Sequence, residues 1–270
     1  MDLGLADRGV LVTGASGAIG AATVAAFAAE GARVAIHCFQ NRESAEQLAL
    51  ETGGCVVQGD LRRTEDAARV MKEAVAKLGS VEVCVANSGR WEDEDVPLWE
   101  MTSERFNGVL EDNLLTAFLT CREFLRHVQS TGRGDIVLVS STSAVFGEAG
   151  NADYAAAKAA IAFGLARTLK NEIVRIAPEG RVNVVAPGWT LTEAVRTSLD
   201  PQVLARASAT MPLKKFATPA QVASAIIWLA SSAASGHCSG QILTVAGGME
   251  GRLIESRTEA RGQQLPQEDR

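Results

Sequence analysis

Short apolar runs recur along this chain, each followed by a segment long enough for a helix, and that alternation leaves few folds open. The runs are Gly9–Thr13 (GVLVT), Arg33–Cys38, Cys55–Gln58, Val81–Ala86, Asp135–Ser140, Arg181–Ala186 and Gln241–Val245. Such near-continuous apolar character belongs to strands buried on both faces. Between them lie helical readings. Ala18–Glu30 is Ala-rich and closed by Gly31; Ser44–Leu50 is short; Thr64 can N-cap a helix that Gly79 ends after Leu78. Further helices are expected over Ser103–Val128, Ala152–Ile176 and Pro219–Ala230, the last capped by Thr218. The stretch after Pro187-Gly188 reads as loop and short helices.

Strands alternating with helices at this spacing imply βαβ units. The expected fold class is α/β, a doubly wound parallel seven-stranded sheet in a Rossmann-type three-layer sandwich. A single catalytic domain is expected over residues 1–248 and a polar C-terminal tail over 249–270. In that tail the like-charge pairs Glu255/Glu259 and Arg257/Arg261 disfavour an isolated helix.

Charge narrows the partners. The net charge of −6, with no basic patch, disfavours nucleic acid and anionic lipid. Cys38, Cys55, Cys84, Cys121 and Cys238 form no CxxC pair, which fits a reduced, cytoplasmic setting, and Cys84 reads as a small core residue. His37, His127 and His237 are scattered, so no metal site is expected. Asp2 and Asp7 precede the first apolar run, unlike a secretory signal, and no run reaches the roughly 20 apolar residues of a membrane span.

Residues 13–20, Thr-Gly-Ala-Ser-Gly-Ala-Ile-Gly, join the first strand to the first helix. Glycines there let backbone approach a pyrophosphate, and the helix N-terminus offers free N–H groups and positive dipole. An acidic residue ending the second strand would bond the ribose 2′-hydroxyl of NAD. That region reads His37-Cys38-Phe39-Gln40-Asn41-Arg42, with no carboxylate, and Arg42 suits the 2′-phosphate of NADP, so NADP is preferred over NAD. Farther on, Tyr154-Ala-Ala-Ala-Lys158 sets a phenol and an amine on one helix face. A nearby ammonium favours phenolate, which would bring the tyrosine's pKa down towards neutrality and make it a proton donor and acceptor. Tyr154 is the sole tyrosine.

These motifs together resemble the classical short-chain dehydrogenase/reductase family over about residues 5–248, with a 3-oxoacyl-carrier-protein reductase-like flavour in MPLKKFATPAQVA. Thr13–Gly20 resembles TGxxxGxG, except that Ala18 holds the middle glycine's place and Gly17 stands one position earlier. Asp60-Leu61 is similar to the pair after the third strand that holds adenine. Ala86-Asn87-Ser88-Gly89 is similar to NNAG, Pro187-Gly188 with Thr192 to PGxxxT, and Ala246-Gly247-Gly248 to DGG. Asn113 and Ser141, thirteen residues before Tyr154, complete the family's catalytic set; Ser140 and Ser143 are weaker candidates for the serine.

The resemblance implies hydride transfer between nicotinamide and a small-molecule carbonyl or alcohol. Tyr154 would be the acid/base and Ser141 would hydrogen-bond the reacting oxygen. Lys158 would hold the nicotinamide ribose and tune Tyr154, and Asn113 would support a water linking Lys158 to solvent. Gly14, Ser16, Gly17, Ile19, Gly20, Arg42, Asp60, Leu61, Asn87, Gly89, Pro187 and Gly188 would contact the cofactor, with Trp189 and Thr192 gripping the carboxamide. The Ala-rich face of the 152–176 helix suggests close helix packing, and the resemblance implies that it makes the contacts of a homo-oligomer, dimer or homotetramer.

The substrate pocket is expected above the strands' carboxyl ends, framed by residues 90–98, 142–151 and 189–212, the last acting as a lid. Trp91, Val145, Phe146, Trp189 and Met211 are candidate apolar walls, and Glu92–Asp95 reads as a solvated loop. Two alternatives stand beside the reductase. A non-redox epimerase or dehydratase draws on the GxxGxxG spacing at Gly17, and a dinucleotide-binding sensor would need no acid/base tyrosine.

Overall fold

The computed structural model describes residues 2–192, 195, 197 and 200–250. Among them, seven strands form one sheet in the order β3-β2-β1-β4-β5-β6-β7. The strands are β1 (Gly9–Val12), β2 (Arg33–Cys38), β3 (Cys55–Gln58), β4 (Val83–Ala86), β5 (Asp135–Val139), β6 (Arg181–Pro187) and β7 (Ile242–Val245). Every pairing is parallel, with Leu11 opposite Ala35 on one side and Cys84 on the other. The α/β doubly wound fold expected from the alternation is therefore the fold observed.

Side chains alternate across the strands and build two cores. Leu11, Cys84, Ile136, Leu138, Val182 and Val184 face one layer, made of α3 (Thr64–Leu78), α5 (Thr116–Thr131) and the 152–172 helices. Val10, Val12, Val83, Val85, Val137 and Val185 face the other, made of α1 (Ala18–Ala29), α2 (Arg42–Thr52) and a helix over Pro219–Ala230. Phe27 and Phe124 are fully buried, one in each layer. Burying such a side chain contributes roughly 1.5–3 kcal/mol. Cys84 is a core residue, as read, and burial alone pushes the neighbouring Cys121 thiol up to about 12.

Local chemistry sets most element ends. Asn41 caps α2 by accepting from Ser44 N at 3.2 Å, and Gly53 closes it at φ +72°. Thr218 caps its helix, as the sequence suggests, and with Gln221 forms a reciprocal capping box. Thr64, by contrast, is the first residue of α3 rather than its cap. Glu65 and Asp66 stabilise that first turn by charge, and Asp66 Oδ2 accepts from Asp60 N at 2.9 Å. The two long helical readings are each interrupted. After α4 (Ser103–Leu110) comes a π-turn, Glu111–Leu115, leading into α5. After α6 (Ser143–Phe146) and α7 (Ala152–Ala159) comes a second, Ala160–Leu165, leading into α8 (Ala166–Glu172) and a 3₁₀ turn, Ile173–Arg175. A π-turn widens the helix by one residue per turn and commonly marks a functional site. The later helices are α9 (Pro201–Ala209), α10 (Pro219–Ala230) and α11 (Ser232–Ser235). The expected tail lies outside the described residues from 251 onward.

Candidate active site

The strand order reverses between β1 and β4, and open α/β sheets bind ligands in the crevice at such a point, beyond the strands' carboxyl ends. The two loops there are laced together by one threonine and one asparagine. Thr13 Oγ1 accepts from Asn87 N and Ser88 N at 2.9 and 3.0 Å, and Asn87 Nδ2 donates to Thr13 O at 2.9 Å and Gly14 O at 3.2 Å. Gly14 has φ +61°, a backbone that favours glycine. A Cβ on Gly20 would stand 2.4 Å from Gly14 O, so close packing of turn on helix demands glycine there. Gly17 is extended and caps α1 without a side-chain bond, and no acidic residue occupies the first turn. Gly14, Gly17, Ala18, Ile19 and Gly20 line the cleft, so the turn fits a pyrophosphate at a free, positive helix end.

His37, set aside by the sequence reading, anchors this turn. It is 2% exposed; its Nδ1 accepts from Gly14 N at 3.1 Å and its Nε2 donates to Gly59 O at 3.0 Å. Burial pulls its pKa down to about 4, against opposing pulls from the Gly59 bond and the Asp60 charge, so the ring is neutral at physiological pH.

The cleft holds about 650 Å³, and its floor lies where β5 ends. Ser140 Oγ donates to Lys158 O at 2.8 Å and is committed to packing. Ser141 hydrogen-bonds the Tyr154 phenol and accepts from Ser143 N at 3.2 Å. Of the three serines, Ser141 is therefore the one that meets the Tyr154 phenol. Tyr154 and Lys158 lie on successive turns of α7, with Lys158 Nζ 5.5 Å from the tyrosine ring centroid and donating to Val139 O at 3.2 Å. Lys158 is 4% exposed and, among the described residues, makes no ion pair; burial pulls its pKa down to about 8. The expected lowering of the tyrosine pKa is not found. Burial pushes the phenol above its usual range, the Ser141 bond opposes this, and the charge of Glu148 adds to it.

Asn113 sits inside the first π-turn, fully buried. Its Nδ2 donates to Arg90 O at 2.8 Å and Val109 O at 3.0 Å, while its Oδ1 has no partner. A Cβ on Gly89 would stand 2.4 Å from that Oδ1 and 3.1 Å from Lys158 Nζ, so the missing side chain leaves a gap bordered by both. A polar gap of this kind suits a water.

The remaining expected contacts divide. Asn87, Gly89, Pro187, Gly188, Trp189 and Thr192 line the cleft. Ser16 is in the turn but not among the lining residues. The Leu61 side chain is 4% exposed and points into the core, and the Asp60 carboxylate accepts from Arg62 Nε and Nη2, both at 2.8 Å. Arg42 lies beyond the cleft, in a shallow depression with Asp60, Arg69 and Lys77, where it reaches Glu46 at 2.7 Å and Gln58 at 3.1 Å. Of the expected walls, Trp91, Phe146 and Trp189 line the cleft, the two indoles meeting edge to face at 6.2 Å. Met211 is instead fully buried and Val145 points outward, because α6 turns only one side to the cleft. Residues 193, 194, 196, 198 and 199 of the expected lid lie outside the described residues. Asp93, Glu94 and Asp95 are exposed, as expected of a solvated loop, although Asp93 reaches the cleft edge.

Over residues 14–250 the chain matches the family model described as Enoyl-(Acyl carrier protein) reductase. It is 38% identical over 247 residues to cis-4-hydroxycyclohexanecarboxylate dehydrogenase of Sinomonas cyclohexanicum, covering 90% of this chain and 96% of that protein. This chain belongs to the short-chain dehydrogenase/reductase family. A 3-oxoacyl-[acyl-carrier-protein] reductase of Mycobacterium avium is 36% identical over 243 residues, 90% of each chain. A probable galactose dehydrogenase of Rhizobium meliloti is 36% identical over 252 residues, covering 91% of this chain and 96% of that one. Like these short-chain dehydrogenase/reductase relatives, the protein is an oxidoreductase that uses a nicotinamide cofactor, NAD(P). Among its described residues no helix is long and apolar enough to cross a membrane.

Proposed function

We propose that Tyr154 is the general acid/base of a carbonyl reductase or alcohol dehydrogenase, with Ser141, Lys158 and Asn113 as its partners, within one catalytic domain spanning 1–248. The hydrogen-bonded Ser141–Tyr154 pair on the cleft floor, facing the free end of α1, carries this reading. When bound, the nicotinamide supplies or takes up the hydride. In reduction the Tyr154 O–H gives its proton to the substrate oxygen; in oxidation the phenolate takes it back. Ser141 donates a hydrogen bond to that oxygen and fixes its position. Lys158, largely ammonium at neutral pH, stabilises the phenolate and holds the ribose. A water between Asn113 Oδ1 and Lys158 leads protons to solvent. Gly14–Gly20 receive the pyrophosphate, with Asn87 and Gly89 beside it, and Thr192 with the Trp189 backbone takes the carboxamide. The backbone of Asp60-Leu61 and the Asp60 carboxylate border the adenine. Oxidation of NADPH and NADH against ketones, diketones and 3-oxoacyl thioesters tests this; cofactor binding with no turnover of any of them would overturn it.

NADP is the preferred cofactor, because residues 38–42 hold no carboxylate and Arg42 provides a cation. Arg42→Ala is expected to raise KM for NADPH about tenfold and to leave KM for NADH unchanged, since a charge-assisted bond to a phosphate is lost in one case only. Equal effects on both would assign Arg42 to the surface.

The protein acts in the cytoplasm, in keeping with five unpaired cysteines. It works as a homo-oligomer, a dimer or tetramer. Phe118 and Phe163 are each 42% exposed, and Phe118 borders an apolar groove with Leu110, Leu114, Leu115 and Leu165. Sedimentation at micromolar concentration is expected to give the oligomer, and Phe118→Glu to give monomer. A monomeric wild type would end this part of the reading.

A further inference from the structure

Glu148 is a carboxylate in the substrate half of the cleft that the mechanism above does not use. It follows α6, on the short segment leading to α7. Its Oε1 accepts from Trp91 Nε1 at 2.7 Å and from Asn151 Nδ2 at 3.2 Å, and the carboxylate also accepts from Ser143. All three partners are neutral, and among the described residues no cation pairs with it. Burial raises its pKa above the usual carboxylate range, against the opposing pull of those three bonds. A carboxylate offers about four acceptor sites, so one remains for a ligand.

Its placement narrows what that ligand group is. Ser143 Oγ lies 2.7 Å from Ser141 Oγ, so the carboxylate stands two hydroxyls away from the position of the reacting oxygen. Of the substituents a substrate can carry, one on the carbon adjacent to the reacting carbon is the nearest to turn towards that carboxylate. Trp91 and Trp189 flank the space with apolar faces, and Asp93 adds a second negative charge at its edge.

We propose that Glu148 is a specificity-determining residue whose carboxylate accepts a hydrogen bond from a hydroxyl or ammonium group on the carbon next to the reacting one. The site thereby selects vicinal diols, α-hydroxyketones or amino alcohols and rejects substrates carrying a carboxylate there. This assignment rests on the oxidoreductase reading above and adds the substrate class to it.

A matched ring series tests it: cyclohexane-1,2-diol, 2-aminocyclohexanol, cyclohexanol and 2-hydroxycyclohexanecarboxylate, each with NAD⁺ and NADP⁺. Wild type is expected to oxidise the diol or the amino alcohol with kcat/KM at least about tenfold above cyclohexanol, and the carboxylate least well, because a half-buried carboxylate with a free acceptor site and no cation beside it favours a donor and repels an anion. Whichever of the diol and the amino alcohol leads identifies the donor. Glu148→Gln keeps the shape and still accepts from Trp91 and Asn151. It is expected to collapse the ratio of donor-bearing to carboxylate substrate by about tenfold or more, with the melting temperature retained. A purely structural Glu148 would move melting temperature and not that ratio. Cyclohexanol or the carboxylate turning over as fast as the diol and amino alcohol, or a preference that Glu148→Gln leaves intact, overturns the assignment. If none of the four is oxidised while a simple ketone is reduced, the neighbouring-donor assignment falls and the oxidoreductase reading stands. If no alcohol or carbonyl turns over, both fall.

Discussion

Tyr154→Phe is expected to lower kcat for carbonyl reduction by roughly 10²–10⁴-fold, the span that a positioned general acid contributes. The substitution removes one oxygen and keeps the ring, so the 5.5 Å contact of Lys158 with the ring face survives. The glycine turn, Thr13 and His37 are untouched, so cofactor affinity should change by less than about threefold. Ser141 retains its contacts with the Ser143 backbone and hydroxyl and still orients the substrate oxygen. Single-turnover reduction with bound NADPH, together with a fluorescence titration of the cofactor, separates chemistry from binding. A phenylalanine variant that turns over within tenfold of wild type would remove Tyr154 as the essential acid. A variant that has lost cofactor affinity would instead show the phenol to be a binding group.

The second large effect concerns stability at the entrance to the same helix. Asp153 is fully buried; its Oδ1 accepts from Tyr154 N at 2.8 Å and its Oδ2 pairs with Arg105 Nε at 3.0 Å. Arg105 also donates to Glu94 O at 2.9 Å and Asn151 Oδ1 at 3.0 Å, so one guanidinium holds α4, the 90–100 loop and the start of α7 together. Arg105→Met leaves the Asp153 charge buried and uncompensated, at an expected cost of about 3–5 kcal/mol. Denaturant melts measure it. Adding Asp153→Asn to Arg105→Met is expected to recover part of the loss, because the residual buried charge is gone. A double variant as unstable as the sum of the singles would show that the two side chains do not act as a pair.

The parts of this site that the sequence makes legible are those whose geometry is local. Gly14–Gly20 lie in one turn between one strand and one helix, and Tyr154 and Lys158 share a helix face, so spacing alone sets them together. Ser141 was harder. Three serines crowd the end of β5, and only the bond from Ser140 to the Lys158 carbonyl separates the structural one. The illegible parts join distant segments. Trp91 and Glu148 stand 57 residues apart and Arg105 and Asp153 stand 48 apart, with nothing in either neighbourhood to announce a partner. His37 does carry a sequence signal: a polar residue amid the apolar run RVAIHC, near the carboxyl end of its strand. The π-turns at 111–115 and 160–165 leave the apolar spacing of their helices unbroken, so the sequence shows one continuous helix in each place.

Where His37 sits also divides the proposed cofactor site into two halves. Its imidazole grips Gly14 and Gly59 from within β2, and the residues proposed to meet the ribose, Phe39 to Arg42, begin just past the strand's last residue. The turn proposed to cradle the phosphates is thus anchored upstream of the segment proposed to discriminate between nucleotides. On the proposed reading, exchanges at positions 39–42 are expected to retune nucleotide choice while the turn held by His37 keeps its shape. An exchange at His37 would release the turn and the Gly59 loop together, whichever nucleotide the enzyme prefers.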